Sequence, residues 1–425
     1  MSAAIAPVFE LWNYCPYLAC GERTNLDGAE RFCGQCGTSF DICPSCRATN
    51  RLLAVFCRGC GKRLENEAWP MYPGLRDRAA ARGIIQSLGE VLPPYPVHLG
   101  AEVLVAPIAA DGLIIVTQSD ERITLLNEMN GEIIGHLAFS QPVAVTPALH
   151  AGTLFVAAGA GLSAFDLIEY LEQPLKQEAQ AVWKFEFGEG AITQPLLVDE
   201  QSVFACVRDG ENAILAAISQ ADGRPLWPEP VRLDSYETAP LVLAAGYLVA
   251  VTLAGRGYVI DPATGQLRHS FSLGRSFDPQ VSPWALKDRV LWADLEGSIF
   301  EIALRESGPL INKVYAHGAR IASLAASDEF IALGHMAGLT LLDSYGQVLW
   351  SNDSIESVSQ TPIIMDRSAF VLDDTGNGLL FNALRSNPTL RRKMLTGWVG
   401  TPPLLTQSKI TAVGGDGKVT VIDWQ

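Results

Sequence analysis

Between residues 101 and 425 one phrase is written eight times, and that repetition constrains the fold more than any other feature of the chain. The phrase runs roughly as a residue followed by Thr, Ser or Ala and then Pro, an apolar run, a turn, a second run, a turn and a third run. Several copies then close on Gly-x-x-x-Trp. The anchors are Pro107, Pro147, Pro195, Pro240, Pro283, Ser323 (where a proline would fall), Pro362 and Pro402, spaced 40, 48, 45, 43, 40, 39 and 40 residues apart. A period in this range belongs to solenoids or propellers.

The apolar runs decide between the two. Leu113 to Val116, Ile123 to Leu126 and Ile133 to Phe139 are short, rich in β-branched residues, and split by turn pairs such as Asp111-Gly112 and Asn130-Gly131. That pattern predicts strands joined by hairpins. Only the second unit has room for a helix. Four short strands per unit make a blade, and a ring of blades removes the exposed edges that an open sheet would leave. The last unit supplies Leu404 to Thr406, Ile410 to Val413 and Val419 to Ile422 but no fourth strand. The proline-bearing stretch 91–99 suits an edge strand, so it is expected to complete the final blade and latch the ring. The fold class is therefore all-β, an eight-bladed β-propeller over 91–425; seven blades is the alternative if the degenerate unit at Ser323 is no blade.

The wording of the repeats resembles the pyrroloquinoline-quinone-type propellers, whose blades often end in Ala-x-Asp-x-x-Thr-Gly-x-x-x-Trp. Three stretches carry the resemblance: Ile260-Asp-Pro-Ala-Thr-Gly265, Ala221-Asp-Gly-Arg-Pro-Leu-Trp227 and Leu342-Asp-Ser-Tyr-Gly-Gln-Val-Leu-Trp350, with Trp183 and Trp424 as less regular members. The resemblance implies tryptophans packed between blades. It leaves function open, because this fold carries dehydrogenases, outer-membrane assembly scaffolds and adaptors alike.

Charge narrows the possibilities. Residues 1–90 hold ten Lys/Arg and nine Asp/Glu, while residues 91–425 hold 21 and 37, a net −16 for the ring. Such a surface repels phosphate backbones. The most apolar window, Leu241 to Gly255, is shorter than the roughly 18–20 residues of a membrane span and is interrupted by Gly246. No secretory pattern opens the sequence at Met1-Ser-Ala-Ala-Ile-Ala-Pro7, so a cytoplasmic location is expected. Export with a lipid-anchoring Cys is usual for the envelope-assembly propellers that the repeats resemble.

Eight of the nine cysteines lie within residues 15–60, as four knuckles: Cys15/Cys20, Cys33/Cys36, Cys43/Cys46 and Cys57/Cys60. Phe32-Cys-Gly-Gln-Cys-Gly37 and Phe56-Cys-Arg-Gly-Cys-Gly61 are near copies, the mark of an internal duplication. Two such turns complete a tetrahedral Cys₄ zinc site. The sequential pairing joins Cys15, Cys20, Cys33 and Cys36 as one site and Cys43, Cys46, Cys57 and Cys60 as the other; an interleaved cross-brace is the alternative. Four thiolates saturate the metal, so both Zn²⁺ ions are expected to be structural. Disulfides would need an oxidising compartment. The region, residues 1–66, resembles the double zinc ribbon family, with a wider first knuckle than usual.

Residues 67–90 read as a linker in which Arg76 to Leu88 is patterned as one short basic helix. An insertion in the second unit, Leu167 to Gln180, is a candidate contact loop. His98, His136, His150, His269, His317 and His335 share no spacing and read as turn or core residues. Asp373-Asp-Thr-Gly-Asn-Gly378 lacks the bidentate Glu of a calcium loop and reads as a hairpin turn, while Cys206 reads as a buried strand residue. No nucleophile elbow, zincin motif or phosphate loop is present, and no residue set that would hold a quinone is found. The expectation is a non-catalytic scaffold, not an enzyme, that binds partner proteins through ribbon and ring. Nucleic-acid binding by the ribbon, through Arg23, Arg31, Arg47, Arg51, Arg58, Lys62 and Arg63, is the less favoured reading, and a quinoprotein-like enzyme the least.

Overall fold

The computed structural model describes residues 40–43, 47–51, 88–91, 96–110, 112–128, 130–172, 180–278, 281–365, 368–406 and 409–424. From Ile108 onward it is an all-β propeller of eight blades, each a sheet of consecutive antiparallel strands. Blade 1 is built from Ile108–Ala110, Leu113–Thr117, Arg122–Asn127 and Ile133–Ala138. The unit at Ser323 is a complete blade 6, with strands Ile321–Ala326, Phe330–His335, Gly338–Asp343 and Val348–Asn352. The seven-bladed alternative therefore falls. Ser323 makes up for the missing proline with a hydrogen bond of its own, its hydroxyl donating 3.0 Å to the Val358 carbonyl on the way into blade 7.

The first strand of each blade faces the centre, and these innermost strands touch their neighbours around the circle. Leu404–Leu405 of blade 8 lies beside Ile108–Ala110 of blade 1, which closes it. Buried residues gather between blades rather than around one centre: Phe155, Trp183, Phe204 and Trp227 share one cluster across blades 2 to 4, and Leu404, Ile410, Ile114 and Val116 another across blades 8 and 1. Closely packed side chains of this kind drive the ring together through apolar burial.

Blade 8 is completed from upstream by two short strands rather than by one segment at 91–99. Leu88–Val91 pairs with the Ile422–Trp424 end of strand Lys418–Trp424, and Val97–His98 pairs with Lys418 and Val419 at its other end. The seven-residue strand is long enough to carry both, and prolines 93, 94 and 96 lack the N–H that one continuous ladder would require. Leu88 is thus a strand residue of the ring, not the end of a helix; residues 67–87 and the rest of that expected helix lie outside the described residues.

The insertion in blade 2 is only partly a free loop. Its start, Leu167–Glu172, is a single helical segment. From it the Tyr170 hydroxyl bonds both the N–H (3.2 Å) and the C=O (3.1 Å) of His136 on the outer strand of blade 1. The start of this candidate contact loop thus braces two blades, and residues 173–179 lie outside the described residues. Among the described residues no helix is long and apolar enough to cross a membrane.

Candidate functional site

Of the eight expected zinc ligands only Cys43 lies among the described residues; Cys15, Cys20, Cys33, Cys36, Cys46, Cys57 and Cys60 lie outside them. Cys43 ends a strand, Phe40–Ile42, that pairs with Thr49–Arg51 in a two-stranded hairpin. Its N–H donates to the Ala48 carbonyl (2.9 Å), its carbonyl accepts from the Arg47 N–H (2.8 Å), and Arg47 takes the left-handed φ of 61°. The Cys43 thiol is buried. A strand that delivers a cysteine into a tight turn is the frame a zinc knuckle needs.

Inside the ring, three tryptophans do the same work. Trp183 and Trp350 lie on the outer strands of blades 2 and 6, and Trp227 lies just before the outer strand Val231–Arg232 of blade 3; each donates from Nε1 to a backbone carbonyl of the next blade, Trp183 to Gln220 (2.8 Å), Trp227 to Pro262 (2.9 Å) and Trp350 to Ala383 (3.0 Å). Trp183, read from sequence as irregular, belongs with the other two. The turn that receives Trp227 contains Gly265 at φ 74°, where an added Cβ would stand 2.7 Å from the indole. Only glycine satisfies both the backbone and the packing there, and Gly223 does the same for Trp183.

Two titratable groups sit at blade seams: Glu128, which the sequence reading missed, and His335, which it read as a turn or core residue and which is buried. Glu128, in the loop after the third strand of blade 1, is buried and accepts a 2.6 Å hydrogen bond from the Thr406 hydroxyl of blade 8. Burial raises its pKa from 4.5 to about 7, against the opposing pull of the Thr406 hydrogen bond and of Lys409, which is itself paired with Asp423. Across the ring, the His317 and His335 rings meet at a tilt of 34° with centroids 4.4 Å apart; His335 is buried, its Nε2 lies 3.1 Å from the Thr340 hydroxyl, and among the described residues no hydrogen-bond partner reaches its Nδ1. Burial, and then the neighbouring His317, lower the His335 pKa. The pair was invisible in sequence because the end of one blade's outer strand meets the next blade's second strand only once blade registers are assigned.

The two seams respond to pH with opposite signs. Glu128 has a folded pKa above its unfolded one, so the folded chain holds an extra proton between about 4.5 and 7, and stability falls as pH rises through that window. His335 has a folded pKa below its unfolded value, so its contribution is present above about 6.5 and is lost as pH falls. In urea melts, Glu128→Gln is expected to remove the fall in stability between about pH 4.5 and 7 and to stabilise the chain by about 3 kcal/mol at pH 8. His335→Gln should flatten only the limb below pH 6.5. Parallel shifts of the whole profile in both variants would contradict these assignments.

The remaining candidates are structural. Asp373, fully buried, accepts from Thr375 N–H (3.1 Å), Thr375 Oγ1 (2.7 Å) and Asn377 N–H (2.9 Å), which makes 373–377 a hairpin turn. Cys206 is buried in its strand with Sγ 3.3 Å from Thr238 Oγ1, and burial pushes its thiol up to about 11. His136 meets Thr124 and His150 meets Gln220, while His98 lies on the blade 8 strand Val97–His98. Among the described residues no group of three or more His, Cys, Asp or Glu converges to hold a metal.

Residues 142–344, just under half of the chain, match the family described as outer membrane protein assembly factor BamB; they span blades 2 to 5 and the first three strands of blade 6. No curated protein matches. Solved structures share the fold at low identity. BamB from Moraxella catarrhalis is similar at 15% identity with a TM-score of 0.60, over 79% of this chain and 100% of that one. Sqt1 from Saccharomyces cerevisiae is similar at 14% and 0.60, over 81% and 100%. The quinohemoprotein alcohol dehydrogenase from Comamonas testosteroni is similar at 13% and 0.63, over 85% and 81%. Likeness at this level speaks for architecture alone, and the fold is shared by an assembly factor and a dehydrogenase.

Proposed function

We propose that this chain is a non-catalytic scaffold that binds partner proteins through its ring and through a zinc-clamped N-terminal module. The observation that carries the reading is the match of blades 2 to 6 to an assembly-factor family. The placement of polar groups supports it: the buried acid Asp373 is spent on its own turn, Glu128 and His335 sit at separate seams, and no two of them meet in one cleft.

The N-terminal module is proposed as residues 1–66, with Cys15, Cys20, Cys33 and Cys36 on one Zn²⁺ and Cys43, Cys46, Cys57 and Cys60 on the other. The Cys43 hairpin fits that donor set. Thiolate ligands of this kind persist in a reducing compartment, and the cytoplasm is the proposed location. The zinc would hold the module's fold rather than supply chemistry.

Native-level purification of the tagged full chain is expected to retain protein partners after nuclease treatment, and removal of residues 1–66 should release a subset of them. A full chain that runs monodisperse and alone would sink the scaffold reading. Partners that leave with nuclease would instead favour nucleic-acid binding by the ribbon, with the steep salt dependence of phosphate contacts.

A further inference from the structure

One stretch of the outer wall departs from the pattern of the other blades. Where the outer strand of a blade begins, a β-bulge leaves one residue unpaired: Ile134 in blade 1, which packs against the blade 1–2 core, Arg268 in blade 4 and Leu349 in blade 6. A bulge re-aims the side chain it carries. Blade 4 satisfies that position internally, with Arg268 held 2.5 Å from Asp261. Blade 6 puts Leu349 there, 44% exposed, facing the receiving turn of blade 7.

That turn is itself unusual. Blade 4 makes it as Asp261 to Gly265, whereas in blade 7 it is drawn out over Asn382 to Thr389. The Asn382 side chain accepts from the Leu384 N–H (2.9 Å), fixing Leu384 with 80% of its surface in solvent. Between the two blades lies a groove of 480 Å³ floored by Trp350 and flanked by Leu349, Leu384, Arg385 and Pro388. Trp350 stacks on Phe381 at 5.4 Å and is tied to Ala383, so the floor is rigid.

The lining of the groove carries one cation, Arg385, and no carboxylate. Arg232, Arg256, Arg289 and Arg320 each sit on a carboxylate. Among the described residues none pairs with Arg385 or Arg391, and Lys393 reaches only the Thr375 carbonyl. Arg391 and Lys393 are the exposed positions of the outer strand of blade 7. An apolar slot lined by Arg385 and no carboxylate, with Arg391 and Lys393 on the strand that follows its Thr389 edge, is complementary to an apolar segment that carries carboxylates.

We propose that the groove between blades 6 and 7 is a docking site for an extended acidic peptide segment of a partner protein. A large apolar side chain would enter between Leu349 and Leu384 onto Trp350, and flanking carboxylates would meet Arg385, Arg391 and Lys393. This deepens the scaffold reading and rests on it, by assigning one surface and one class of partner.

The test uses the full chain and dye-labelled octapeptides with two central leucines, flanked by glutamates or by lysines, read by fluorescence anisotropy. The glutamate-flanked peptide is expected to bind at least tenfold more tightly than its lysine-flanked counterpart. Leu384→Asp and Arg385→Glu, both in exposed positions, should each weaken it at least tenfold without changing the melting temperature. Equal binding of the two peptides, or of parent and variants, overturns the proposal. So does sedimentation showing a dimer that Leu384→Asp dissolves, since the occupant would then be a second copy. Loss of the peptide effect while native partners are still retained would remove this groove and leave the scaffold reading standing; loss of all partners would remove both.

Discussion

Trp227→Ala is expected to destabilise the ring by about 3–5 kcal/mol, the range for truncating a fully packed tryptophan. The indole is 96% buried between blades 3 and 4, lies 5.9 Å from the Phe204 ring and donates 2.9 Å to Pro262. Its loss removes apolar burial, leaves a cavity that the β-sheets on either side cannot collapse into, and orphans the Pro262 carbonyl. The receiving glycine supplies a second handle. Gly265→Ala should cost at least about 1–2 kcal/mol, because alanine is strained at φ 74° and its Cβ would press on the indole at 2.7 Å. In the double variant the pressure is gone while the backbone strain stays, so the two costs should add to less than their sum. Urea titrations of the four proteins measure this. A Trp227→Ala midpoint that translates to under about 0.5 kcal/mol, or strict additivity, would show that the inter-blade indole carries no load.

The ring was legible from sequence because its strands alternate with turns at a fixed period, and period is a property a reader can count. Trp227 and Trp350 declared their role through the Gly-x-x-x-Trp spacing. Trp183 did not, because the helix at Leu167–Glu172 and the residues after it push it out of register, yet it reaches Gln220 as Trp227 reaches Pro262. Closure was legible in outline, since blade 8 lacked a strand and only upstream chain was left to provide one. That two strands share the work was not, because pairing at both ends of Lys418–Trp424 depends on that strand's length in the fold. The seams were the least legible part. Glu128 and Thr406 lie 278 residues apart and meet only because the circle shuts. Local pattern cannot report a contact made by global closure.

Zinc removal is the sharpest separation available between the two halves of the chain. Each Cys₄ site is expected to supply on the order of 10–16 kcal/mol of folding free energy at neutral pH, as much as the roughly 5–15 kcal/mol that holds a typical domain together. A module as small as residues 1–66 would be expected to bury too little apolar surface to replace it. The intact chain should carry two zinc ions by elemental analysis and release both to a strong chelator. Proteolysis should then cut within residues 15–60 while the ring from Leu88 onward stays protected, because the described ring draws on apolar burial between blades and not on those thiolates. Ser substitution of Cys43 and Cys46 together should lower the content to one ion under sequential pairing, since the Cys15, Cys20, Cys33 and Cys36 site keeps its full ligand set. An interleaved arrangement would strip ligands from whichever sites share that knuckle, and the double variant then tells the pairings apart only alongside its counterpart at Cys57 and Cys60. Under sequential pairing the two variants, and their combination, each retain a single ion. A parent chain that holds no zinc, or one whose eight thiols are found oxidised in pairs under native conditions, would dismantle the metal-clamped module and with it the proposed second binding surface.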